Sequence, residues 1–446
     1  MTLPAQYINT SYNFRTLNYL GSKLRLLDFI EEQMCRITPA NAGVCDLFAG
    51  SGCVSYRLSS RFPVVSCDIQ YYSKVICDAL LLKPQLTKED VASFLAKIEK
   101  SFSNSLLPKS FEPLITLEEK AIQVKNLEIL ASIIENGSIE VFRMNHKDSI
   151  LTTYQEHVIR NLANAGISMQ KSLLGRYYGG VYFSYKQAVV LDIILSTIQD
   201  SLLDNNKSIF LAALLSTASD IVDTVGKHFA QPIKVRDSKG SIKTLVYNKA
   251  IKDKTIDALE LYKTWLWKYF SLPRNNLKHQ SMQGDYLSCL SNLSEDIRTV
   301  YADPPYTRDH YSRFYHVLET IALGDTPKIS TIVKNGQIII SNGLYRVDRH
   351  QSPFCIKSLA PNAFDELFHA VATSNRSLIL SYSPYDETKK THPRVVTMNQ
   401  LLTWAKEHFY HVEVISAGHF THNKLNSKIH HLHSSDEAEV LIVCSN

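Results

Sequence analysis

The chain has 446 residues, of which 45% are hydrophobic and 20% charged, and its formal net charge is +5 at neutral pH. This length allows a large buried core, and the absence of an apolar run long enough to cross a bilayer argues against a membrane-spanning protein. The small positive charge permits a polyanionic partner without requiring one. Eight cysteines occur singly, so neither a disulfide framework nor a zinc site is indicated, and we expect a cytoplasmic protein.

The N-terminal part of the chain, from Asn18 to Leu82, alternates short apolar strands with a helical stretch. Residues 43–48 (GVCDLF) predict a buried strand, residues 51–62 a helix, and residues 64–69 (VVSCDI) a second strand. A strand, a helix and a strand in this order form a βαβ unit, whose strands run parallel. We therefore expect an α/β fold built on a parallel sheet.

The middle of the chain is mainly helical, and the alternation of strands and helices then resumes. Apolar periodicity predicts middle helices at residues 89–102, 187–203 and 208–225. Later strands are predicted at residues 299–305, 337–342, 377–383 and 439–444, and later helices at residues 315–324 and 398–409. One sheet with a large insertion explains this order, so we expect a cofactor-binding half at residues 1–82, an inserted region at 83–280 and a catalytic half at 281–446.

A glycine turn, Asp46 to Gly52 (DLFAGSG), closes the first predicted strand and opens the first predicted helix. Glycines in such a turn let backbone N–H groups approach a ligand closely. Asp68 follows Gly52 by about 16 residues, a spacing like that of the ribose-binding acid in dinucleotide-binding folds. The pattern predicts adenosine binding, although a glycine turn alone also fits ordinary strand–helix geometry.

These residues resemble the cofactor motifs of S-adenosylmethionine-dependent methyltransferases, and residues 18–23 (NYLGSK) resemble the N-terminal motif of the Dam-like, or D12 class, adenine methyltransferases. The resemblance implies a Rossmann-like class I methyltransferase sheet and S-adenosyl-L-methionine as cofactor. In such a site Tyr19 and Lys23 flank the methionine end of the cofactor, and Asp68 holds the ribose hydroxyls. The cofactor turn would consist of Asp46, Phe48, Gly50 and Gly52. Without the resemblance, Lys23 is equally a cation at a helix end and Tyr19 a packing aromatic.

The tetrapeptide Asp303-Pro304-Pro305-Tyr306 follows an apolar strand. The N6 amine of adenine is a poor nucleophile because its lone pair is delocalised into the ring, so a catalyst must hold the amine with that lone pair directed at the sulfonium methyl. The Asp303 carboxylate and the Pro304 carbonyl can accept its two N–H bonds. Tyr306 offers an aromatic face to a base rotated out of the duplex, so the tetrapeptide predicts base flipping. A proline-rich turn capped by an aspartate is the alternative interpretation.

Two shorter patterns flank this tetrapeptide. Asp285 and Tyr286 follow a glycine about 18 residues before Asp303, where the Dam-like pattern has an acid for the cofactor adenine and an aromatic that stacks on it. The family more often has phenylalanine at the second position, so Tyr286 is a departure. Tyr311 and Arg313 follow the tetrapeptide and fit the rim of a pocket for the flipped base. The alternative is a helix that packs its aromatic side chains inward.

A histidine-rich stretch near the C-terminus suggests a metal site. No acid or cysteine stands at ligand spacing among these histidines, and methyl transfer from a sulfonium needs no metal, so we predict none. A polar loop or hairpin before the last strand is the expected structure. The histidines are His419, His422, His430, His431 and His433.

Basic residues are densest late in the insertion, where a D12 enzyme would carry its target-recognition domain. Such an excess would face a phosphate backbone well, although each residue also fits an ordinary solvated surface. The expected DNA-binding residues are Lys227, Lys234, Arg236 and Lys239. Residues 175–180 (GRYYGG) look like a structured loop near the target strand, or a purely structural one.

We therefore interpret the chain as a site-specific adenine-N6 DNA methyltransferase that acts on double-stranded DNA by base flipping. We expect the modification enzyme of a restriction-modification system, paired with a restriction endonuclease and working as a monomer or weak dimer in the prokaryotic cytosol. Two alternatives remain open. The same chemistry would serve N4-cytosine or RNA adenine methylation, and a chain with this fold that had lost activity would act as a DNA-bound regulator or a specificity subunit.

Overall fold

The computed structural model of the protein describes residues 12–201, 204–334, 336–383, 394–416 and 439–446. The chain divides into two compact units. The first comprises Met1–Lys83, Ser271–Ser312 and His350–Asn446, and the second comprises Pro84–Phe270 and Arg313–Arg349. Within the described residues, no helix is both long enough and apolar enough to span a membrane.

The strands of the described chain are β1 (Gly43–Asp46), β2 (Val64–Asp68), β3 (Gln280–Gln283), β4 (Ile297–Ala302), β5 (Thr331–Lys334), β6 (Gln337–Ile340), β7 (Ser377–Tyr382), β8 (His411–Ser416) and β9 (Val440–Ser445). The helices in the first third of the chain are α1 (Leu27–Ile37), α2 (Cys53–Leu58), α3 (Tyr71–Leu81), α4 (Lys88–Asn104), α5 (Leu107–Gln123), α6 (Leu127–Asn136) and α7 (Ile139–Asn145). The remaining helices are α8 (Thr152–Asn164), α9 (Leu173–Tyr177), α10 (Tyr185–Ser201), α11 (Asp204–Ile221), α12 (Leu245–Lys249), α13 (Ala258–Phe270), α14 (Tyr286–Ser291), α15 (Tyr311–Phe314), α16 (His316–Leu323), α17 (Ala360–Thr373) and α18 (Met398–His408).

A seven-stranded sheet in the order β3-β2-β1-β4-β7-β9-β8 is the centre of the first unit. The five strands from β3 to β7 pair in parallel, and β9 pairs antiparallel with both β7 and β8. Strand β4 lies directly beside β1, with Val300 opposite Cys45. The prediction that segments before and after the insertion share one mostly parallel sheet is therefore confirmed.

The central strands were predicted because they are buried on both faces, and the edge strands were not. All four residues of β1 are buried, whereas the side chains of β3 (QSMQ) and β8 (HVEVIS) are half-buried or exposed. A strand at the edge of a sheet needs no continuous apolar run, so its sequence resembles that of a loop. Helix α17 was also missed, and its residues Phe364, Leu367 and Phe368 are fully buried in the core against the sheet.

The second unit is mainly helical and includes α4 to α13, α16 and a hairpin of β5 and β6. Its main core joins helices α5, α6, α8 and α10 through residues such as Phe111, Ile133, Leu162 and Tyr185. Residues 337–342 were predicted as a strand of the central sheet, and this placement is wrong, because β6 pairs antiparallel with β5 in the separate hairpin. An apolar run predicts a strand without specifying its neighbour.

The limits of the two units differ from the expected boundaries in two places. The segment after Phe270 returns to the first unit before residue 280, because residues 280–283 add β3 to the edge of the sheet beside β2. Residues 313–349, expected in the catalytic half, belong to the second unit. There α16 is buried, and its Thr320 hydroxyl lies 3.2 Å from the hydroxyl of Tyr178.

A buried ion pair lies inside the second unit. The Lys254 ammonium is 2.8 Å from a Glu118 carboxylate oxygen, and the two side chains are 0% and 2% exposed. Lys254 also donates to the carbonyl of Gly180, and the second Glu118 oxygen accepts the backbone N–H of Tyr185 at 2.8 Å. Each charge is thus compensated, and removing one partner would leave the other charge buried and unpaired.

Glu118→Ala should destabilise the protein by about 3–5 kcal/mol, because it leaves the Lys254 ammonium without its counter-ion in the interior. The double variant Glu118→Leu/Lys254→Met should recover most of that loss. Urea unfolding followed by circular dichroism measures both effects. The control is Glu119→Ala, which removes an exposed pair with Lys186 and should change stability by less than about 1 kcal/mol. A single variant as stable as this control would contradict the argument.

Candidate active site

A cavity of about 330 Å³ lies in the first unit, at the ends of strands β1, β2 and β4. Because these strands are parallel, their carboxyl ends meet at one edge of the sheet, where ligands bind in open α/β folds. Most of the predicted cofactor and catalytic residues line this cavity, together with one predicted DNA-binding residue, Tyr311. They are Tyr19, Lys23, Asp46, Phe48, Gly50, Asp68, Asp285, Tyr286, Asp303, Pro304, Tyr306 and Tyr311.

The glycine turn follows β1 and is held by the neighbouring strands. The Ala49 N–H donates to the Cys67 carbonyl at 2.9 Å, and Gly50 and Gly52 have φ angles of 53° and 72°, in the left-handed region that favours glycine. A Cβ at Gly50 would lie 2.6 Å from the Tyr19 hydroxyl. Gly52 does not line the cavity, and a Cβ there would lie 2.8 Å from Leu80, so its role is to let α2 pack closely.

Two acids of this region have distinct partners. Asp68 accepts the N–H of Gly50 at its Oδ2 and the N–H of Gln70 at its Oδ1, each at 2.8 Å, so it braces the turn while lining the cavity. Burial raises the pKa of Asp68 above its ordinary value. Asp46 accepts the N–H and the hydroxyl of Ser55 at 3.0 and 2.6 Å, and burial raises its pKa to about 7. Asp46 therefore anchors the first turn of α2.

An aromatic cluster forms another wall of the cavity. The rings of Phe48 and Tyr286 are stacked, with centroids 6.2 Å apart, and Phe354 meets them edge to face at 5.4 and 5.1 Å. Asp285 caps α14, because its Oδ1 accepts the N–H groups of Leu287 and Ser288 at 3.1 Å. Sequence reasoning missed Phe354, which lies in a short 3₁₀ turn outside any motif.

The loop after β4 carries an ion pair to the N-terminal motif. The Lys23 ammonium lies 2.9 Å from Asp303 Oδ2 and 3.1 Å from Glu439 Oε1, and the side chains of Lys23 and Glu439 are only 5% and 1% exposed. Burial acts to lower the pKa of Lys23, but the two carboxylates outweigh it and raise that pKa well above its ordinary value. Glu439 was not predicted, although it begins the strand segment 439–444.

Tyr306 is held by contacts on several sides. Its ring centroid lies 5.2 Å from that of Tyr382 and 4.9 Å from the guanidinium carbon of Arg394, and its carbonyl accepts the Val395 N–H at 3.3 Å. Burial raises the pKa of Tyr306, so its hydroxyl is neutral at physiological pH. Arg394, like Glu439, is a residue beside the Asp303–Tyr306 loop that no sequence motif indicated.

The rim of the cavity contains two tyrosines from distant parts of the chain. The ring centroids of Tyr19 and Tyr311 are 5.7 Å apart, and the Tyr311 hydroxyl donates to the Leu20 carbonyl at 3.2 Å. The same hydroxyl lies 3.1 Å from the place where a Cβ on Gly21 would stand. The N-terminal motif and the segment that follows the Asp303–Tyr306 loop are thus in direct contact.

The residues predicted to bind DNA, other than Tyr311, lie in the second unit and do not line the cavity. Arg313 is exposed, with its guanidinium 5.8 Å from the Tyr345 ring centroid. Lys234 and Lys239 are exposed, and Arg236 pairs with Glu135 at 3.1 Å.

Two other predicted features of the second unit have internal partners. The Lys227 ammonium is half-buried and donates to Asp253 at 2.8 Å, and burial lowers its pKa. In the expected loop 175–180, Arg176, Tyr177 and Tyr178 are buried, so this segment is part of the core.

The histidines at 419, 422, 430, 431 and 433 lie outside the described residues. Within the described ranges, one group of possible metal ligands occurs, formed by Asp365, Glu407 and His408. In it, the Asp365 carboxylate accepts the Nε2–H of the His408 ring at 2.8 Å. This group lies on α17 and α18 and does not line the cavity.

Comparison with known proteins agrees with the motifs. The family described as D12 class N6 adenine-specific DNA methyltransferase matches residues 19–154. The chain is 25% identical over 381 residues to modification methylase LlaI of Lactococcus lactis subsp. lactis, covering 83% of this chain and 47% of that protein. It is 24% identical to type II methyltransferase M.FokI of Planomicrobium okeanokoites, covering 82% of this chain and 44% of the relative.

A third relative aligns with this chain over most of its own length. Type II methyltransferase M.NlaIII of Neisseria lactamica is 23% identical over 368 residues, which are 79% of each chain. The chain thus spans less than half of LlaI and M.FokI and most of M.NlaIII. Residues 19–154 are thus similar to the D12 class N6 adenine-specific DNA methyltransferase family, and most of the chain is similar to LlaI, M.FokI and M.NlaIII.

Proposed function

We propose that this protein transfers the methyl group of S-adenosyl-L-methionine to the N6 atom of adenine at a specific site in duplex DNA. The observation that carries the proposal is that the loop Asp303–Tyr306 and the glycine turn line one cavity, in which Lys23 binds Asp303 at 2.9 Å. The motif for the methyl donor and the motif for the acceptor amine are therefore adjacent. The D12 family match and the methyltransferase relatives support the same chemistry.

The cavity fits the proposed methyl donor. The aromatic cluster of Phe48, Tyr286 and Phe354 offers apolar faces to an adenine ring, and Asp285 stands beside it. Asp68 faces the cavity where it can accept ribose hydroxyls, and Tyr19 lies against Gly50. When bound, S-adenosyl-L-methionine would supply an activated methyl group on sulfur.

The acceptor amine would be held by the loop after β4. The Asp303 carboxylate and the Pro304 carbonyl accept its two N–H bonds, which directs the nitrogen lone pair away from the loop. Tyr306, fixed by Tyr382 and Arg394, stacks on the extruded base. Holding both reactants in this way lowers the barrier mainly by orientation, and no covalent enzyme intermediate is required.

The second unit would supply recognition of the duplex. Most of this unit follows β2 and precedes β3 in the sequence, where we expect the target-recognition domain. Lys234, Arg236, Lys239 and Arg313 are exposed or half-buried on it. Cations of this kind contact phosphates and make binding depend on salt. Lys227 is the weakest of the proposed DNA contacts because its ammonium already binds Asp253.

The type II methyltransferase relatives favour a role as the modification enzyme of a restriction-modification system, paired with an endonuclease in the prokaryotic cytosol. Methylation of cytosine N4 or of adenine in RNA is a second candidate, because a pair of acceptors can hold any exocyclic amine. An inactive DNA-bound regulator is disfavoured because the glycine turn and the Asp303–Tyr306 loop line one cavity, as methyl transfer requires.

Expression in cells that lack DNA adenine methylation tests the proposal. Sequencing that detects N6-methyladenine should find the mark at one short recognition sequence. Asp303→Ala should abolish the mark and lower kcat by about 100-fold or more, because the amine loses its charged acceptor. Asp28→Asn, an exposed carboxylate that pairs with Arg57, is the control and should retain full activity. Methylcytosine in place of methyladenine, or a kcat of Asp303→Ala close to that of the wild type, would refute the assignment.

Removing the aromatic wall should weaken cofactor binding. Phe354→Ala should raise the Kd for S-adenosyl-L-methionine by about 10-fold, because truncation of a buried aromatic in a binding pocket costs more than about 1 kcal/mol. Isothermal titration calorimetry with the cofactor alone measures this effect. Tyr410→Ala, at a side chain 90% exposed, is the matched control. Unchanged affinity in the Phe354 variant would place the adenine ring elsewhere.

A further inference from the structure

Glu439 is a buried carboxylate beside the catalytic loop that belongs to no sequence motif described above. Its Oε1 lies 3.1 Å from the Lys23 ammonium and accepts the Ser381 hydroxyl at 2.7 Å. The side chain is 1% exposed, so its charge is stabilised by these protein groups rather than by bulk water. Such a carboxylate is costly to bury, which indicates a specific role.

The sheet holds this carboxylate firmly in place. Glu439 immediately precedes β9, whose first residue, Val440, pairs with Tyr382 of β7. Ser381 lies in the same β7 strand and donates to Glu439, while the other neighbour of β9 is β8. Strand β7 also pairs with β4, which leads into the Asp303 loop. Glu439, Ser381 and the Asp303 loop are therefore held by the adjacent strands β9, β7 and β4.

Lys23 is shared between two carboxylates of different function. Asp303, 2.9 Å away, is the proposed acceptor for the amine of the target base, whereas Glu439 has no place in that step. If Asp303 were the sole counter-ion, the buried ammonium would compete with the amine for the same carboxylate oxygens. The second carboxylate allows the ammonium to remain charged and in place while Asp303 engages the base.

We propose that Glu439 is a positioning residue for methyl transfer, which acts through Lys23 by holding its ammonium so that Asp303 can accept the target amine. This inference rests on the proposed function. Glu439 does not line the cavity proposed to hold the reactants and is therefore distinct from the catalytic residues. Besides the two carboxylates, the phenols of Tyr301 and Tyr306 and the thiol of Cys53 face Lys23, and all three are neutral because burial raises their pKa values. Asp46, whose pKa burial raises to about 7, is a further acid that interacts with Asp303.

The test is the pH profile of Glu439→Gln, which keeps the shape of the side chain and removes its charge. With one negative charge gone, Lys23 pairs with Asp303 alone and stabilises its ionised form. The acid limb of kcat/KM should therefore move to lower pH by about one unit. At the same time kcat should fall by about 10-fold, because the amine now competes with a full ion pair for its acceptor. The KM values for cofactor and DNA should change little.

Two variants serve as comparisons in the same assay. Glu439→Asp retains the charge and should keep the acid limb of the wild type. Glu413→Gln removes an exposed carboxylate of β8 that pairs with Arg36, and it should leave kcat and the pH profile unchanged. Melting temperature and cofactor affinity are measured for every variant, because a purely structural role would lower these two without moving the acid limb.

The outcomes separate this inference from the proposed function. If the wild type methylates adenine and Glu439→Gln keeps its kcat and acid limb, or loses only stability, the inference is overturned and the function stands. If Glu439→Gln does not fold, Ser381→Ala, which removes a hydrogen bond to Glu439, replaces it. We then expect a smaller shift of the acid limb in the same direction, and an unshifted limb would contradict the inference. If the wild type methylates no DNA, the proposed function fails and this inference fails with it.

Discussion

The ion pair between Lys23 and Asp303 is the interaction on which the site depends. A buried ammonium is tolerated only when carboxylates compensate its charge, and Lys23 has Asp303 at 2.9 Å and Glu439 at 3.1 Å. These three residues come from the N-terminal motif, the loop after β4 and the start of β9. Their charges balance only when all three segments are in place. The charge of Lys23 is therefore compensated only after β4 and β9 have joined the sheet.

The order of the strands explains why these segments meet. From β1 the chain extends the sheet through β2 on one side, whereas β4 and β7 lie on the other side of β1. The loops after β1 and β4 therefore diverge at the point where the strand order reverses, which is where a crevice opens in such sheets. The glycine turn and the Asp303 loop form two sides of this crevice. The proposed cofactor turn and the proposed amine-binding loop are adjacent because β1 and β4 are adjacent.

Sequence reasoning predicted the cavity-lining residues that belong to local motifs at the ends of strands. Gly50, Asp68, Asp303 and Tyr306 all line one cavity, because each lies at the end of a buried strand or shortly after it, and the apolar run of that strand identifies it. Phe354, Glu439 and Arg394 were missed. Each acts through a side chain that reaches the site from a loop or a strand end, and no local pattern marks such a residue. The edge strands β3 and β8 were missed for a related reason, since half-exposed strands lack the apolar signal.

The sequence by itself determined the local structures, namely the glycine turn after β1, the proline-stiffened loop after β4 and the helical character of the insertion. These depend on backbone preferences and on the periodicity of apolar residues, which are properties of short segments. Only the tertiary structure decided that β6 joins a separate hairpin, that residues 313–349 pack with the second unit, and that Lys23 is shared by two carboxylates. Those outcomes depend on which distant surfaces become buried together, and burial is a property of the whole chain.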